Sequence, residues 1–462
     1  MSNLKIIFSV VLFTYSISIS AQLNNYFVDF MEEGLEVITV DNNAVGVSIS
    51  VIAGNEQWSG AAGLSTFQDS LNTEHVLALG SITKPMVAAC ILGLMEEGEL
   101  ELNDPLHLYL ESREHIDSTI SIKQLLNHTS GLFNYTENVT LIDTVLTYDT
   151  KIFSPEEVLD LFLLEPAFAK GERQEYSNTN YLLLGMIIQA ITERPYYEEI
   201  IDRFNIEQDY PSLTVAPQIQ DITNMAHLWA DLGFGQTDVQ GAGLTLDGLF
   251  SSAGAAGAFV ATPTDLAKFG KDLLSGQLLN AASMDSFYTY HPFQLSGVID
   301  YGLGVWQRET SCGVTYVGHN GGIIYTAELA YVEAYDLTVV VMTNDGDGIQ
   351  ELGGVTGITD AIICEYEVSL TNTNELVQEE YSIKVFPNPF DQYISLEYRN
   401  DSYDPVRLEI FNELGQLIDT KEYNDQKTIN ENLLTQPDIS SGIYYLRFTI
   451  GYKNEMIKVI KI

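Results

Sequence analysis

Ser81-Ile82-Thr83-Lys84-Pro85-Met86-Val87-Ala88-Ala89-Cys90-Ile91-Leu92-Gly93-Leu94-Met95 sets a serine and a lysine three positions apart at the head of an apolar run. The run stops at Glu96-Glu97-Gly98, as a helix does. Residues three apart share a helical face, so Lys84 is placed to reach the Ser81 hydroxyl from one turn away. A serine hydroxyl needs a neighbouring base before it attacks anything. Among apolar neighbours such as Met86 and Val87, a lysine ammonium is disfavoured, which suits the side chain to act as that base. Pro85 is tolerated only in a first helical turn, which places Ser81 at the helix start and its oxygen near free backbone N–H groups.

Outward from this segment, Tyr26 to Val37 has helical apolar spacing, and Val45, Val47, Ile49 and Val51 alternate as in a half-buried strand. A second strand through Trp58 and Ala62 follows the turn at Gly54-Asn55. Thr262-Pro263-Thr264-Asp265 opens a helix, with Thr262 as cap, Pro263 first and Asp265 closing a capping box. Thr326 to Val332 and Leu337 to Thr343 are expected to be paired strands, and Gly353 to Cys364 a closing helix. Strands at both ends with helices between imply an α/β unit built on one mostly antiparallel sheet flanked by helices. Ser369 to Glu380 is polar and aperiodic, a linker over 369–380. Beyond it, short alternating strands such as Tyr444 to Ile450, punctuated by Asn388-Pro389 and Ser441-Gly442, imply a small all-β sandwich over 381–462.

The formal net charge of -43 opposes nucleic-acid binding, which needs Lys and Arg against phosphate. Lys5, the apolar run Ile6 to Tyr15 and the small residues through Ala21 are expected to be a secretory signal peptide over 1–21. No later segment reaches about 18 uninterrupted apolar residues, so no membrane span is expected. Cys90, Cys312 and Cys364 form neither a disulfide framework nor a zinc motif and are assigned to packing. The scattered histidines show no metal spacing, and no metal or cofactor is expected.

Two further short motifs follow Ser81-x-x-Lys84: Tyr176-Ser177-Asn178 and His319-Asn320-Gly321. Each pattern also arises by chance, as at Ser2 to Lys5 and Tyr398 to Asn400, but their order and surroundings are specific. Leu102-Asn103-Asp104-Pro105, Ile122 through Leu132, Ala261 through Ala267 and Tyr301-Gly302-Leu303-Gly304 join them. Over about residues 25 to 368 the chain resembles the serine β-lactamase and penicillin-binding protein superfamily, nearest the class C β-lactamases, D-alanyl-D-alanine carboxypeptidases and related esterases. The resemblance implies an all-helical insert in the α/β unit, placed over 22–368, and a small-molecule or peptide substrate with a scissile carbonyl. It implies Ser81 as acylated nucleophile, Lys84 as its partner and Tyr176 as proton shuttle. Asn178 would bond the substrate amide, His319 and Gly321 would stand where β-lactamases carry Lys-Thr-Gly, and Gly322 would supply an oxyanion N–H. With histidine in that motif, cell-wall peptide, β-lactam and ester all stay open as substrates, and so does a catalytically silent binding module on the same fold. His128 is expected to be structural, bonding loop carbonyls, and Ser251 and Ser252 to serve a loop. The tail motifs Val385-Phe386-Pro387-Asn388-Pro389-Phe390, Ile410 through Gly415 and Ser441-Gly442-Ile443-Tyr444-Tyr445 resemble a type IX secretion sorting domain of the Bacteroidetes. That resemblance implies export by the type IX machinery and a secreted or cell-surface protein.

Overall fold

The structure is a computed structural model that describes residues 23–41, 44–216, 224–231, 235–293, 297–346 and 352–372. In the tail it describes 381–386, 393–400, 405–412, 416–423, 428–434, 440, 442–450 and 453–461. The expected signal peptide and most of the expected linker lie outside the described residues. The chain divides into two compact units at Thr371/Asn372.

The first unit contains helix α1 (Asn25–Glu36), strands β1 (Gly46–Ala53) and β2 (Glu56–Gly63), and helix α2 (Thr83–Glu96). Later come α3 (Asn178–Thr192), α4 (Pro263–Leu274), and strands β3 (His291–Pro292), β4 (Val298–Tyr301), β5 (Trp306–Glu309), β6 (Thr315–Ile323), β7 (Tyr325–Val332) and β8 (Leu337–Thr343). Helix α5 (Gly354–Asn372) closes the unit. These eight strands form one antiparallel sheet in the order β2-β1-β8-β7-β6-β5-β4-β3, so strands from the two ends of the unit pair directly, Val47 opposite Thr343.

Both faces of this sheet are covered. Along β8, Val340 and Met342 enter the core shared with α2, α3 and α4, while Val339 and Val341 meet Phe27 and Met31 of α1 and Ile362 of α5. Strand β1 is therefore buried throughout rather than half-buried: Val47, Ile49 and Val51 face α1 and α5, and Ser48, Ser50 and Ile52 face the other way, also buried. Helix α4 starts as its sequence dictates, with the Thr262 side chain accepting from the Asp265 N–H. Asp265 does not close the capping box; its carboxylate accepts from the backbone and hydroxyl of Ser212 instead. Helix α5 runs on to Asn372, past the expected linker start at Ser369, because Ile362, Ile363 and Tyr366 give it an apolar face to bury.

Cysteine pairing departs from expectation as well. Cys312, in the β5–β6 turn, forms a disulfide with Cys364 of α5, with Cα atoms 5.8 Å apart, and only Cys90 is a free, buried packing residue. The partners lie 52 residues apart, so nothing local in the sequence announces the bond.

In the second unit, strands β9 (Tyr381–Phe386), β10 (Ile394–Asn400), β11 (Val406–Asn412), β12 (Leu417–Tyr423), β13 (Thr428–Leu433), β14 (Gly442–Ile450) and β15 (Lys453–Lys461) form two sheets. Their orders are β9-β10-β13 and β12-β11-β14-β15. Leu396 and Tyr398 of the first sheet share a core with Leu408, Ile410, Leu446 and Phe448 of the second, the layered packing of a β-sandwich.

Candidate active site

Ser81 lies in the short 3₁₀ turn Gly80–Ile82 that feeds α2. Backbone geometry, more than side-chain bulk, brings the neighbouring segments to it. Gly80 has φ +51°, and a Cβ there would sit 2.7 Å from the Gly322 nitrogen. A Cβ on Gly321 would sit 1.7 Å from the Leu79 carbonyl oxygen. Two glycines facing each other thus let β6 pass against the Ser81 turn. On the other side, Leu77–Ala78 pairs with Phe259–Ala261, which ties the turn to the Gly254–Ala256 segment.

Lys84 is wholly buried, and its Nζ makes three bonds, to Ser81 Oγ at 2.8 Å, Asn178 Oδ1 at 2.8 Å and the Ala256 carbonyl at 2.7 Å. Burial among the apolar residues of α2 drives its pKa well below the usual 10.5. The Tyr176 ring lies 4.9 Å from the same Nζ, and its phenol is near enough to Ser81 for the serine to influence its titration. Burial pushes that phenol upward, and Ser81 opposes the push. Asn178 begins α3. Its Oδ1 holds Lys84 while Nδ2 donates to Asn134 Oδ1 and Thr136 Oγ1, so both of its polar ends are engaged within the protein.

Behind Tyr176 lies a buried chain of side chains that the sequence expectation names singly and does not connect. His128, fully buried, packs its ring 4.4 Å from that of Tyr176. Its Nδ1 accepts from the Ser177 N–H and pairs with Asn180 Nδ2, rather than bonding loop carbonyls as expected. The remaining Nε2–H then donates to Tyr301 Oη at 3.2 Å. Tyr301 in turn meets His319 Nε2 at 3.2 Å, and His319 Nδ1 gives its proton to the Asn320 carbonyl. The bonding pattern assigns one tautomer to each histidine. His319 also stacks on Trp306 at 4.3 Å and has no exposed surface, so it does not meet the cleft as expected. Burial and the nearby Lys84 hold its pKa down to about 3. Ser251 and Ser252 sit in the helix Asp247–Ala253, and Ser251 Oγ accepts from the Phe153 N–H. The sequence signal for Tyr301 was its place in Tyr301-Gly302-Leu303-Gly304; 173 residues separate it from His128, and only the fold joins them.

A cavity of about 230 Å³ opens beside Ser81, lined also by Asn178, Gly322 and several apolar side chains. Among the described residues, no group of His, Cys, Asp and Glu is arranged to hold a metal ion. No described helix is long and apolar enough to cross a membrane.

Residues 384–462 match the secretion system C-terminal sorting domain, which marks a secreted or cell-surface protein. Among curated relatives, Protein flp of Staphylococcus aureus (strain MW2) is 34% identical over 131 residues, 27% of this chain and 25% of its own length. Penicillin-binding protein 4* of Bacillus subtilis (strain 168) is 26% identical over 271 residues, 54% of this chain and 56% of that protein. The chain thus spans about a quarter to a half of these relatives. Among solved structures, a D-stereospecific amidohydrolase from Streptomyces sp. superposes with a TM-score of 0.63 at 27% identity, covering 72% of this chain and 98% of that one. The D-amino acid amidase from Ochrobactrum anthropi SV3 shares the fold, with a TM-score of 0.65 at 22% identity over 76% of this chain and 100% of its own. Residues 23–355 match the Beta-lactamase family model, and with that match over the site just described the chain belongs to the β-lactamase and penicillin-binding protein family of serine hydrolases.

Proposed function

We propose that the protein hydrolyses an amide or ester through an acyl-enzyme on Ser81. The observation that carries this reading is the 2.8 Å contact between Ser81 Oγ and a buried Lys84 amine whose pKa is depressed. A neutral Lys84 takes the Ser81 proton as Oγ attacks the carbonyl carbon. The resulting oxyanion faces the N–H groups of Ser81 and Gly322, which the paired glycines bring together. Tyr176, beside Ser81 and Lys84, relays a proton to the departing nitrogen or oxygen. Water then attacks the ester, and the same groups return the proton to Ser81. Asn178 holds Lys84 in place.

Within this class, peptides of the cell-wall type, esters and D-amino-acid amides are the candidates, the last supported by likeness to the Streptomyces amidohydrolase. A silent binding module would have no use for a buried lysine set against a serine. Residues 1–21 act as the secretory signal and the tail as the address for type IX export, a reading supported by the sorting-domain match. Intact-mass analysis with a fluorophosphonate tests the chemistry. One adduct on Ser81, lost in Ser81→Ala, is expected; a folded protein that takes no label would sink the hydrolase reading.

A further inference from the structure

The cavity beside Ser81 carries no charge apart from the machinery itself. Tyr135, Leu141, Ile142, Leu249, Ile323 and Ile324 supply the larger side chains of its wall. Between residues 23 and 372, every Lys and Arg except Lys84, Lys123 and Arg308 is ion-paired to a carboxylate. Lys84 makes its three bonds inside the protein, Arg308 is buried against Trp306, and neither Lys123 nor Arg308 lines the cavity. The stretches 217–223, 232–234, 294–296 and 347–351 contain no Lys, Arg or His in their sequence. His319, the group beside the Gly321-Gly322 strand that a carboxylate would seek, is buried and uncharged down to about pH 3. The whole chain carries a formal charge of -43, a field that repels anions before they reach the cleft.

One wall residue is held there at a cost. Ile324 forms the tip between β6 and β7 with φ +71°, a backbone conformation that a β-branched residue rarely adopts. Gly346 makes room for its side chain, since a Cβ at 346 would lie 2.7 Å from Ile324 Cγ2. Glycine would fill that tip without strain, so the strained isoleucine points to a need for its apolar side chain at the cavity wall.

We propose that the cleft selects substrates that are uncharged and apolar next to the scissile carbonyl, such as neutral amides and esters, and turns away carboxylate-bearing peptides, with Ile324 as a specificity-determining residue. This rests on the acyl-transfer reading above. A carboxylate entering the pocket would lose its hydration with no cation to replace it.

The test uses the full chain and two matched pairs: p-nitrophenyl butyrate against p-nitrophenyl hemisuccinate, and N-acetyl-D-alanyl-D-alanine amide against the free acid. The neutral member of each pair is expected to have a kcat/KM roughly 10- to 100-fold higher. Ile324→Arg should narrow or invert that ratio. Ile324→Gly should lose the preference for longer over shorter acyl chains among neutral p-nitrophenyl esters. Where turnover is slow, the Ser81 labelling rates of an alkyl and a carboxyalkyl fluorophosphonate give the same ratio. Equal or faster reaction of the anionic members, with Ser81 still labelled, overturns this proposal alone. Absence of any Ser81 label takes the acyl-transfer reading down with it.

Discussion

Lys84 has no exposed surface and three acceptors within reach, and these two facts pull in opposite directions. The acceptors favour the ammonium, while burial penalises it, and burial wins. The protonated amine has no lone pair for the Ser81 proton, so acylation needs the neutral form. We therefore expect kcat/KM to rise with pH through the depressed Lys84 pKa and to level off well before 10.5. Lys84→Ala should lose roughly 10²- to 10⁴-fold in kcat/KM, the usual worth of a positioned base. Lys84→Arg should rescue nothing, because a guanidinium stays charged. A pH-independent profile, or an active arginine variant, would remove Lys84 from the base role. The buried histidines make a second prediction of this kind. Below pH 6.5 the unfolded chain protonates His319 while the folded chain refuses the proton until about pH 3. His128, driven down by burial and then by Lys84, works in the same direction. The unfolded state binds more protons across that window, so stability falls as pH falls. Melting curves from pH 7 to 4 should show a shallower acid decline for His319→Gln than for the parent, and parallel slopes would show that His319 titrates normally.

Elements decide how the residues meet. The close pass of β6 against the Ser81 turn gives a clean contrast between adjacent glycines. Gly321→Ala drives a methyl into the backbone oxygen of Leu79, which cannot move aside as a side chain would. A loss of about 1–3 kcal/mol in stability, together with Ser81 labelling, is expected. Gly322→Ala meets no protein atom within 4 Å and should keep the stability. If both variants behave alike in denaturant melts, the strand does not hold the turn as drawn. The sequence made much of this scale legible. The α2 helix, the Thr262 cap and the β7–β8 pair follow from periodicity and capping chemistry, which act over a few residues. The spacing of Ser81 and Lys84 is local in the same way, whereas the role expected of Tyr176 comes from the family resemblance and not from any local pattern. What sequence could not supply were partners chosen across the fold. Asp265 goes to Ser212 instead of its own helix, β1 is covered on its serine face, and His128 finds Tyr301. His319 stands in the right motif, yet its burial under Trp306 depends on sheet packing that no local pattern encodes.

At the scale of the molecule, export and covalent cross-linking belong together. Disulfides persist in oxidising compartments, and a chain with a sorting domain is bound for one. The Cys312–Cys364 bond fastens α5 to the β5–β6 turn, and the same junction is held by Asp360, which accepts from the N–H and hydroxyl of Ser311. Strand β6 leads from that turn to His319, Gly321 and Gly322, so the bond braces the strand from the end remote from the cleft. Closing a loop of 52 residues restricts the unfolded chain far more than the folded one. Its removal by Cys312→Ser with Cys364→Ser should cost about 2–5 kcal/mol, read from denaturant melts. Because Asp360 and the sheet ladder still hold the turn, Ser81 labelling at room temperature should survive the double change and fail only at a lower temperature than in the parent. Cys312 is exposed, so a reductant should reproduce the double variant in the parent protein and have no effect on the variant itself. Equal melts for parent and variant would mean that the helix and turn are already fastened by Asp360 and the core. Loss of labelling at every temperature would mean that the bond shapes the cleft itself, and β6 would then be a strand under tension rather than a braced one.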